Sequence, residues 1–306
     1  MQTSRHERIA GGLLGLLVGD ALGVPYEFFP PQRLPPVEAI EMQSPAGFPR
    51  AHAGVPPGTW SDDGAQALVL LDSLLANDGL DLAHFAEGLT RWLHDGFYAV
   101  DGVVFDVGIQ TSTALRHLRD GVSPERSGPA RERENGNGAL MRVLPLVLWH
   151  RGDDAALVRL AMRQGLPTHG HPRSQLCCAM YCLWARGVLE RVEAPWQRAE
   201  ETLRALPAGA VDRTELELIL QPHAPCGTGY VLDTLWTARD AFESTGSYAD
   251  CVRRAVAFGH DTDTSACVAG GIAGLEYGVD AIPARWCQAL RGMELVAPLL
   301  ARLESG

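Results

Sequence analysis

The sequence predicts an all-α protein, and three observations carry that prediction. Apolar residues recur at helical spacing along most of the 306-residue chain. Alternating runs rich in Val, Ile or Thr, which are typical of strands, are scarce, and residues 100–108 are the one short candidate. No fixed-period repeat is visible, so a solenoid is not expected. We therefore expect about a dozen helices packed around a shared core.

The predicted helices follow from the hydrophobic pattern, taken in chain order. Segment 6–23 is apolar on nearly all sides, which predicts a helix buried on every face. The later segments are amphipathic and predict helices with one buried face. They cover residues 63–77, 81–94, 107–119, 139–150, 153–164, 172–190, 228–243 and 284–303.

Four glycines recur at four-residue spacing inside the first predicted helix and lie on one of its faces. Each glycine costs about 1 kcal/mol of helix stability relative to Ala, so close packing must compensate. Segment 265–274 has the same small-residue character. We expect these two helices to pack together at the centre of the molecule. The four glycines are Gly11, Gly15, Gly19 and Gly23.

Glycine and proline cluster in four loops, at residues 23–36, 45–58, 121–138 and 221–229. None of these loops is long or polar enough to be a flexible domain linker. We therefore expect a single domain over residues 1–306.

The composition limits the classes of function. Hydrophobic residues make up 46% and charged residues 21%, as in globular proteins. A net charge of −11 repels phosphate backbones, which argues against nucleic acid as a partner. All 26 basic residues are Arg, so mechanisms that need a catalytic Lys, such as Schiff-base chemistry or a P-loop, are excluded.

The sequence also suggests where the protein works. The longest early apolar run is broken by Asp20, so we expect no membrane span. No basic segment leads into an apolar one at the N-terminus, as a secretory leader requires. The seven cysteines form no Cys-x-x-Cys pair and are interpreted as reduced, buried thiols. We expect a cytoplasmic monomer.

Two adjacent carboxylates, Asp62 and Asp63, stand at the start of an apolar helix and follow Ser61. Helix capping is one interpretation, because Ser61 or Asp63 can cap the free N–H groups and Asp63 with Gln66 fits a capping box. A second cluster has the same make-up: Asp261 and Asp263 flank one residue and precede Thr264. A cap explains one Asp in each cluster but not two.

Four carboxylates that converge near a core need cations. At about 5 Å and an effective dielectric near 20, each pair repels by about 3 kcal/mol. Hard divalent cations remove that cost, and oxygen ligands favour Mg²⁺ or Mn²⁺ over Zn²⁺. Four negative charges would balance two such ions. A metal phosphoesterase is disfavoured because no His-rich ligand set is present.

Six strings along the chain resemble the ADP-ribosylglycohydrolase family, and they occur in the family's order over nearly the whole sequence. Each string alone is weak evidence, but six in order are specific. They are GLLVGDALGVPYEF (15–28), GTWSDDGAQAL (58–68), FDVGIQTSTAL (105–115), GNGALMRVLPL (136–146), THGHPRS (168–174) and GHDTDTSACVAGGIAGL (259–275).

The resemblance implies a compact orthogonal bundle of many helices around a central binuclear Mg²⁺ or Mn²⁺ site. It also implies hydrolysis of the glycosidic bond between ADP-ribose and an acceptor on a protein or conjugate. The residues that match the family's metal-binding positions are Ser61, Asp62, Asp63, Asp261, Asp263 and Thr264.

The catalytic candidates implied by the resemblance are Glu27, Asp62 and Asp263. Glu27 matches a family Glu on the loop after the first helix, where a carboxylate can accept a proton from water or gate access. A solvated loop carboxylate is the alternative interpretation of Glu27. Which carboxylate is the general acid or base stays open.

Asp106 matches an Asp found in arginine-directed members of the family. A carboxylate there can pair with a guanidinium through two hydrogen bonds, which favours ADP-ribosyl-arginine as the substrate. The alternative is that Asp106 only caps helix 107–119. Other acceptors remain open, namely ADP-ribosyl-serine, O-acetyl-ADP-ribose or another conjugate. It also remains open that the chain is a non-catalytic, crystallin-like relative, although the intact acidic clusters argue against that alternative.

Segment 134–142 is the candidate ligand-binding loop. Gly136 and Gly138 permit close approach of a pyrophosphate, and the N-terminus of the predicted helix that follows favours an anion. Asn137 is expected to hydrogen-bond the ligand. His169 matches a family His near the ligand, and a helix-start His beside Pro172 is the alternative.

Overall fold

Residues 3–305 are described by a computed structural model, and over that range the chain forms fifteen α-helices and no strand. The all-α prediction is therefore confirmed. The helices are α1 Arg5–Gly23, α2 Asp62–Asn77, α3 Leu82–Asp95, α4 Ile109–Arg119, α5 Pro124–Ser127, α6 Pro145–Trp149, α7 Asp154–Gly165, α8 Pro172–Leu189, α9 Pro195–Ala205, α10 Arg213–Leu220, α11 Val231–Glu243, α12 Tyr248–Ala257, α13 Thr262–Tyr277, α14 Ala284–Ala289 and α15 Met293–Ser305.

The two small-residue helices, α1 and α13, pack against each other at the centre, as the glycine pattern predicts. A methyl group on Gly15 would overlap the carbonyl oxygen of Gly270, and one on Gly270 would overlap that of Gly15. Gly19 faces the carbonyl oxygen of Ala266 in the same way. The glycines therefore allow backbone-to-backbone contact, which compensates for their low helix propensity.

This packing fixes where the second acidic cluster lies. A methyl group on Gly23, at the end of α1, would overlap the Cα atom of Asp263. The Thr262 hydroxyl donates to the carbonyl oxygen of Gly23 at 2.8 Å. The start of α13 is thus locked against the end of α1, four residues before Glu27.

By length and composition alone, the stretch Arg5–Tyr26 could cross a membrane. We expected Asp20 to interrupt this apolar run, but it does not. Of its most apolar window, 94% is buried inside the fold. Asp20 itself is fully buried and hydrogen-bonded, which lets a carboxylate lie in this apolar helix.

The one strand candidate does not form, and one predicted helix is shorter than expected. Residues 100–108 form a short 3-10 turn and irregular backbone instead of a strand, because Asp101 and Gly102 adopt positive φ of 55° and 69°. The predicted helix 139–150 is helical only from Pro145, whose ring nitrogen has no hydrogen to continue a preceding helix.

Three helix boundaries also differ from the predictions. The helix predicted over 284–303 is two helices, α14 and α15, separated by irregular residues 290–292, of which Gly292 has a φ of 78°. Helix α4 begins at Ile109 and helix α11 at Val231, each later than predicted.

Candidate functional site

The start of α2 is held by a residue that the sequence analysis did not select. Asp20, from α1, accepts hydrogen bonds from the backbone N–H of Ser61 at 2.9 Å and of Gly64 at 2.8 Å. Ser61 is the N-cap, and its hydroxyl accepts from the N–H of Asp63 at 3.3 Å. A carboxylate inside an otherwise apolar helix was the signal that could have identified Asp20.

The capping box expected between Asp63 and Gln66 does not form. Gln66 instead donates its side-chain N–H to the Asp62 carboxylate at 3.0 Å. Asp63 accepts one bond, from the Thr264 hydroxyl at 3.3 Å. Because Ser61 and Asp20 satisfy the N-terminus of α2, neither adjacent carboxylate is needed as a cap.

The start of α13 supplies the second cluster. Asp261 occupies the N-cap position, yet its side chain caps no helix N–H and accepts a bond from the Asn137 amide at 2.9 Å. Asp263 is fully buried, and one of its oxygens accepts from the N–H of Thr264 at 2.9 Å. Asp261 therefore does not act as a cap, whereas Asp263 binds one first-turn N–H through Oδ1 and leaves its Oδ2 atom without a partner among the described residues.

The two clusters converge, and Glu27 joins them. Ligand oxygens of Glu27, Asp261 and Asp263 all lie within 4.8 Å of one another. Burial, followed by repulsion from neighbouring carboxylates, raises the pKa of Asp62, Asp63 and Asp263 well above the usual range. The same two causes raise the pKa of Glu27 to about 10.

Two carboxylate oxygens in this cluster, Asp63 Oδ2 and Asp263 Oδ2, are buried without a hydrogen-bond partner among the described residues. An unpartnered buried carboxylate oxygen is costly unless a cation lies beside it. The surrounding donors are carboxylates and hydroxyls, the ligand set that hard divalent cations prefer. The residues present therefore fit a divalent metal site.

A cavity of about 460 Å³ opens beside this cluster. Ser61 and Asp263 do not line it, and both residues are buried. The other candidate residues all line the cavity. They are Glu27, Asp62, Asp63, Asp106, Gly136, Asn137, Gly138, His169, Asp261 and Thr264.

The N-cap of α4 is Gly108, and no side-chain cap hydrogen bond is made there. The alternative that Asp106 only caps this helix is therefore excluded. Asp106 has a φ of 53°, and atoms of its carboxylate, of Glu27 and of His52 lie within 4.8 Å of one another. Burial and the nearby Asp261 raise the pKa of Asp106. An acidic group in that setting is disposed to receive a cation, either a guanidinium or a metal.

His52 is a second residue that the sequence analysis missed. Its Nε2 atom lies 2.6 Å from Oε2 of Glu27, and its ring packs between Phe28 and Phe105, with ring centres 5.5 and 5.1 Å away. His52 therefore joins the loop that carries Glu27 to the loop that carries Asp106. The only signal was a His within the Gly/Pro-rich loop 45–58, which is weak.

The candidate ligand loop differs from the prediction in its backbone. Residues 139–144 form turns, so no helix N-terminus follows Gly138 to attract an anion. The N–H of Gly136 donates to the Gln110 side chain at 3.2 Å. A glycine is needed at position 138 for another reason, because a methyl group there would lie 2.8 Å from Cε1 of His169.

Asn137 and His169 both face the cavity, with their other contacts inside the protein. The Asn137 amide donates to Asp261 and to Thr234, each at 2.9 Å, so in this structure it orients a carboxylate. His169 Nδ1 lies 2.8 Å from the Thr168 hydroxyl. His169 is in the loop before α8, whose N-cap is His171, so the helix-start alternative does not apply.

Comparisons with known proteins agree with this architecture. A family model described as ADP-ribosylglycohydrolase matches residues 1–305. The ADP-ribosylarginine hydrolase Tri1 of Pseudomonas putida is 30% identical over 97% of this chain and 78% of its own length. The ADP-ribosyl-[dinitrogen reductase] glycohydrolase of Rhodospirillum rubrum is 30% identical over 94% of this chain and 91% of its own length.

A solved structure titled "ADP-ribosylglycohydrolase-related protein complex" superimposes with a TM-score of 0.79 at 33% sequence identity. The match covers 98% of both chains. The likeness therefore extends over the whole fold that surrounds the acidic cavity.

Proposed function

Because this chain belongs to the ADP-ribosylglycohydrolase family and is an ADP-ribosyl hydrolase, we propose that it removes ADP-ribose from modified arginine. The observation that carries the proposal is Asp106, a carboxylate that lines the cavity within reach of Glu27 and His52. A guanidinium entering the cavity would find an anionic partner there, whereas a serine hydroxyl would not need one.

We further propose that two divalent cations, Mg²⁺ or Mn²⁺, are held where the two clusters converge. The support is the pair of unpartnered carboxylate oxygens and the all-oxygen donor set. When bound, such cations orient substrate oxygens and lower the pKa of water. The proposed ligands are Ser61, Asp62, Asp63, Asp261, Asp263 and Thr264.

The remaining roles belong to side chains of the cavity wall. The proposed reaction breaks the bond between the anomeric carbon and the guanidinium nitrogen, and positive charge develops at that carbon. The acidic cluster stabilises that positive charge, and Asp62 and Asp263 lie at its two helix starts. Bound cations would favour the ionised form of Glu27, which lies 2.6 Å from His52. In that form Glu27 would take the proton of the attacking water and return it to the departing guanidine nitrogen. Gly136, Gly138 and His169 also line the cavity, and we propose that the ADP-ribose part binds against them.

The proposal is tested by incubating the protein and Mg²⁺ or Mn²⁺ with peptides ADP-ribosylated on Arg, Ser or Asp, and with O-acetyl-ADP-ribose. Released ADP-ribose is measured against time. We expect the arginine conjugate to be cleaved at least about tenfold faster than the others, the factor that one good charged hydrogen bond supplies. Faster cleavage of the serine conjugate would reject arginine as the acceptor.

The setting in which the enzyme works is also part of the proposal. We propose a single domain over residues 1–306 that acts as a cytoplasmic monomer, with neither nucleic acid nor membrane as a partner. The net charge of −11 supports the first exclusion. Light scattering on the purified protein measures the mass, and a dimer mass would reject the monomer.

A further inference from the structure

Arg142 is a fully buried cation that the proposed reaction does not use directly. Its Nη1 donates to Oε1 of Gln66 at 2.8 Å, and its Nη2 donates to the Thr168 hydroxyl at 2.7 Å. Gln164 receives the remaining bonds, through Oε1 and its carbonyl oxygen, each at 3.1 Å. Burial lowers the pKa of Arg142 to about 10, so the guanidinium is still charged at neutral pH.

The first consequence concerns Gln66. A guanidinium has donors only, so each partner must turn an oxygen toward Arg142. Because Oε1 of Gln66 accepts from Arg142, the amide nitrogen of Gln66 is the end that faces Asp62. It donates to Oδ2 of Asp62 at 3.0 Å. Arg142 therefore fixes which end of the Gln66 amide reaches Asp62.

The second consequence concerns Thr168 and is reached by counting hydrogens. The Thr168 oxygen accepts from Arg142, and its single hydrogen is left to donate. The remaining hydrogen-bonding atom near that hydroxyl is Nδ1 of His169, at 2.8 Å. If the hydroxyl donates, Nδ1 is an acceptor and carries no hydrogen. A neutral imidazole then has its hydrogen on Nε2.

The position of the ring gives this proton a function. His169 lines the cavity, and Nε2 lies on the side of Gly136 and Gly138: a methyl group on either glycine would be 3.5 or 3.3 Å from that nitrogen. Burial, followed by the nearby Arg142, lowers the pKa of His169 to about 3, so the ring is neutral under working conditions. A neutral Nε2–H can donate to an oxygen of a ligand in the cavity.

We propose that Arg142 is a positioning residue that sets the hydrogen-bond direction on both sides of the cavity. Through Gln66 it presents an N–H to Asp62, and through Thr168 it presents an O–H to His169. His169 is thereby fixed as an Nε2–H donor toward a phosphate or ribose oxygen of the ligand. The identity of that ligand rests on the proposed function, while the direction of the two hydrogen-bond chains does not.

The decisive measurement is the tautomer of His169 in the wild-type protein. Long-range ¹⁵N–¹H spectra distinguish a protonated from an unprotonated ring nitrogen, and the His169→Gln variant identifies the signal by its loss. We expect Nε2 protonated and Nδ1 unprotonated. The opposite tautomer overturns the proposal, and this test needs no variant to fold except the one used for identification.

The Thr168 arm is tested with two variants. Thr168→Val removes the hydroxyl, so we expect the proton to spread over both ring nitrogens and ADP-ribose to bind about three- to tenfold more weakly by calorimetry. Thr168→Ser keeps the hydroxyl and should restore both readouts. A pure Nε2–H tautomer in Thr168→Val would overturn the role of Thr168 and Arg142.

The Gln66 arm has its own readout, calorimetric binding of Mn²⁺ without substrate. Gln66→Met should weaken Mn²⁺ binding about tenfold or more, as the loss of partners of metal ligands does, and leave the tautomer of His169 unchanged. Arg142→Lys loses the fork and should disturb both arms. If Gln66→Met and Arg142→Lys bind Mn²⁺ as the wild type does, this arm is rejected.

The proposed function can fail separately. A wild-type protein that binds no ADP-ribose would contradict that function, while the tautomer measurement would still decide the role of Arg142.

Discussion

Two regions bring carboxylates to the cavity, and they hold them in different ways. The helix-start region, at the beginnings of α2 and α13, is fixed by the backbone. Gly23 packs directly on Asp263, and the buried Asp20 binds the N–H groups of Ser61 and Gly64. Little in this region can move without opening the helix pair.

The loop region carries Glu27 and Asp106 and is fixed by side chains. His52 contacts Glu27 and packs between Phe28 and Phe105, which belong to different loops. Phe28 and Asp106 both have positive φ, at 66° and 53°. Phe28 is also 66% exposed, in contrast to the fully buried start of α13.

The difference indicates a division of labour. The rigid helix starts suit metal ligands, whose distances must stay constant. The loops suit groups that meet the substrate, because loop residues can adjust as a ligand enters. Substitutions can separate these two regions, and the largest effects are expected in the helix-start region.

Substituting Gly19 should produce the largest effect. A methyl group there overlaps the carbonyl oxygen of Ala266, and no flexible side chain can yield. We expect Gly19→Ala to lower the free energy of unfolding by about 3 kcal/mol or more, the upper range for overpacking. Urea denaturation measures the change. Gly246→Ala, where a methyl group meets nothing within 4 Å, is the matched control and should stay near wild type.

The helix-start carboxylates should act as one unit. Asp62→Asn or Asp263→Asn should each lower turnover more than about 100-fold, because a lost metal ligand costs at least as much as a lost partner of a ligand. The double variant should be little worse than either single one. Turnover near wild type in a single variant would show that its carboxylate is dispensable.

The helix-start region could largely be predicted from the sequence. The glycine spacing predicted the contact between α1 and α13, and the paired hydroxyl and acidic residues predicted the convergence of two helix starts. Asp20 could not be assigned a role, because only the fold shows that a carboxylate in α1 reaches N–H groups of α2.

The loop region was harder to predict, for physical reasons. His52 and Glu27 are in contact, but both residues lie in irregular segments, where the sequence shows no helical or strand periodicity. Similarly, Pro145 restricts α6 to Pro145–Trp149, and the apolar pattern over 139–150 does not reveal that the earlier residues form turns. Long-range contacts between irregular segments leave no periodic signal in the sequence.

Asp106 tests the assignment of the loop region to the substrate. Asp106→Ala should lower turnover of ADP-ribosyl-arginine about 10- to 100-fold, since it removes a charge-assisted pair of about 1.5–3 kcal/mol. Binding of free ADP-ribose, measured by calorimetry, should change little. Asp101→Ala is the control on the same loop, because Asp101 is exposed and pairs with Arg291. Equal loss of binding and turnover would instead place Asp106 in the ribose or metal site.

A smaller effect is expected from His52. His52→Ala removes the contact with Glu27 and one ring between two loops, so we expect kcat to fall about tenfold while KM changes less. The melting temperature should change little. His52→Gln keeps an N–H at a similar reach and should recover part of kcat. If Gln recovers nothing, the ring packing matters more than the contact with Glu27.

The sign of the pH dependence follows from two raised pKa values in the metal-free protein. Burial, followed by neighbouring carboxylates, raises the pKa of Glu27 to about 10, and burial raises that of Asp20 to about 7. A carboxyl whose pKa is higher in the folded state favours folding while it is protonated. That contribution is lost as pH rises through the raised pKa. The metal-free protein should therefore lose stability as pH rises above about 4, with the contribution of Asp20 lost by about pH 7 and that of Glu27 by about pH 10.

The most direct test of the central claim, that the helix starts form a divalent cation site, is thermal unfolding with EDTA or with Mn²⁺ across this pH range. At free Mn²⁺ of 100 times its dissociation constant, the gain in unfolding free energy is about 2.7 kcal/mol. We expect a higher melting temperature with Mn²⁺ at pH 7 and a larger difference at pH 9, because a cation favours ionised carboxylates. Identical melting curves with Mn²⁺ and EDTA at both pH values would contradict it.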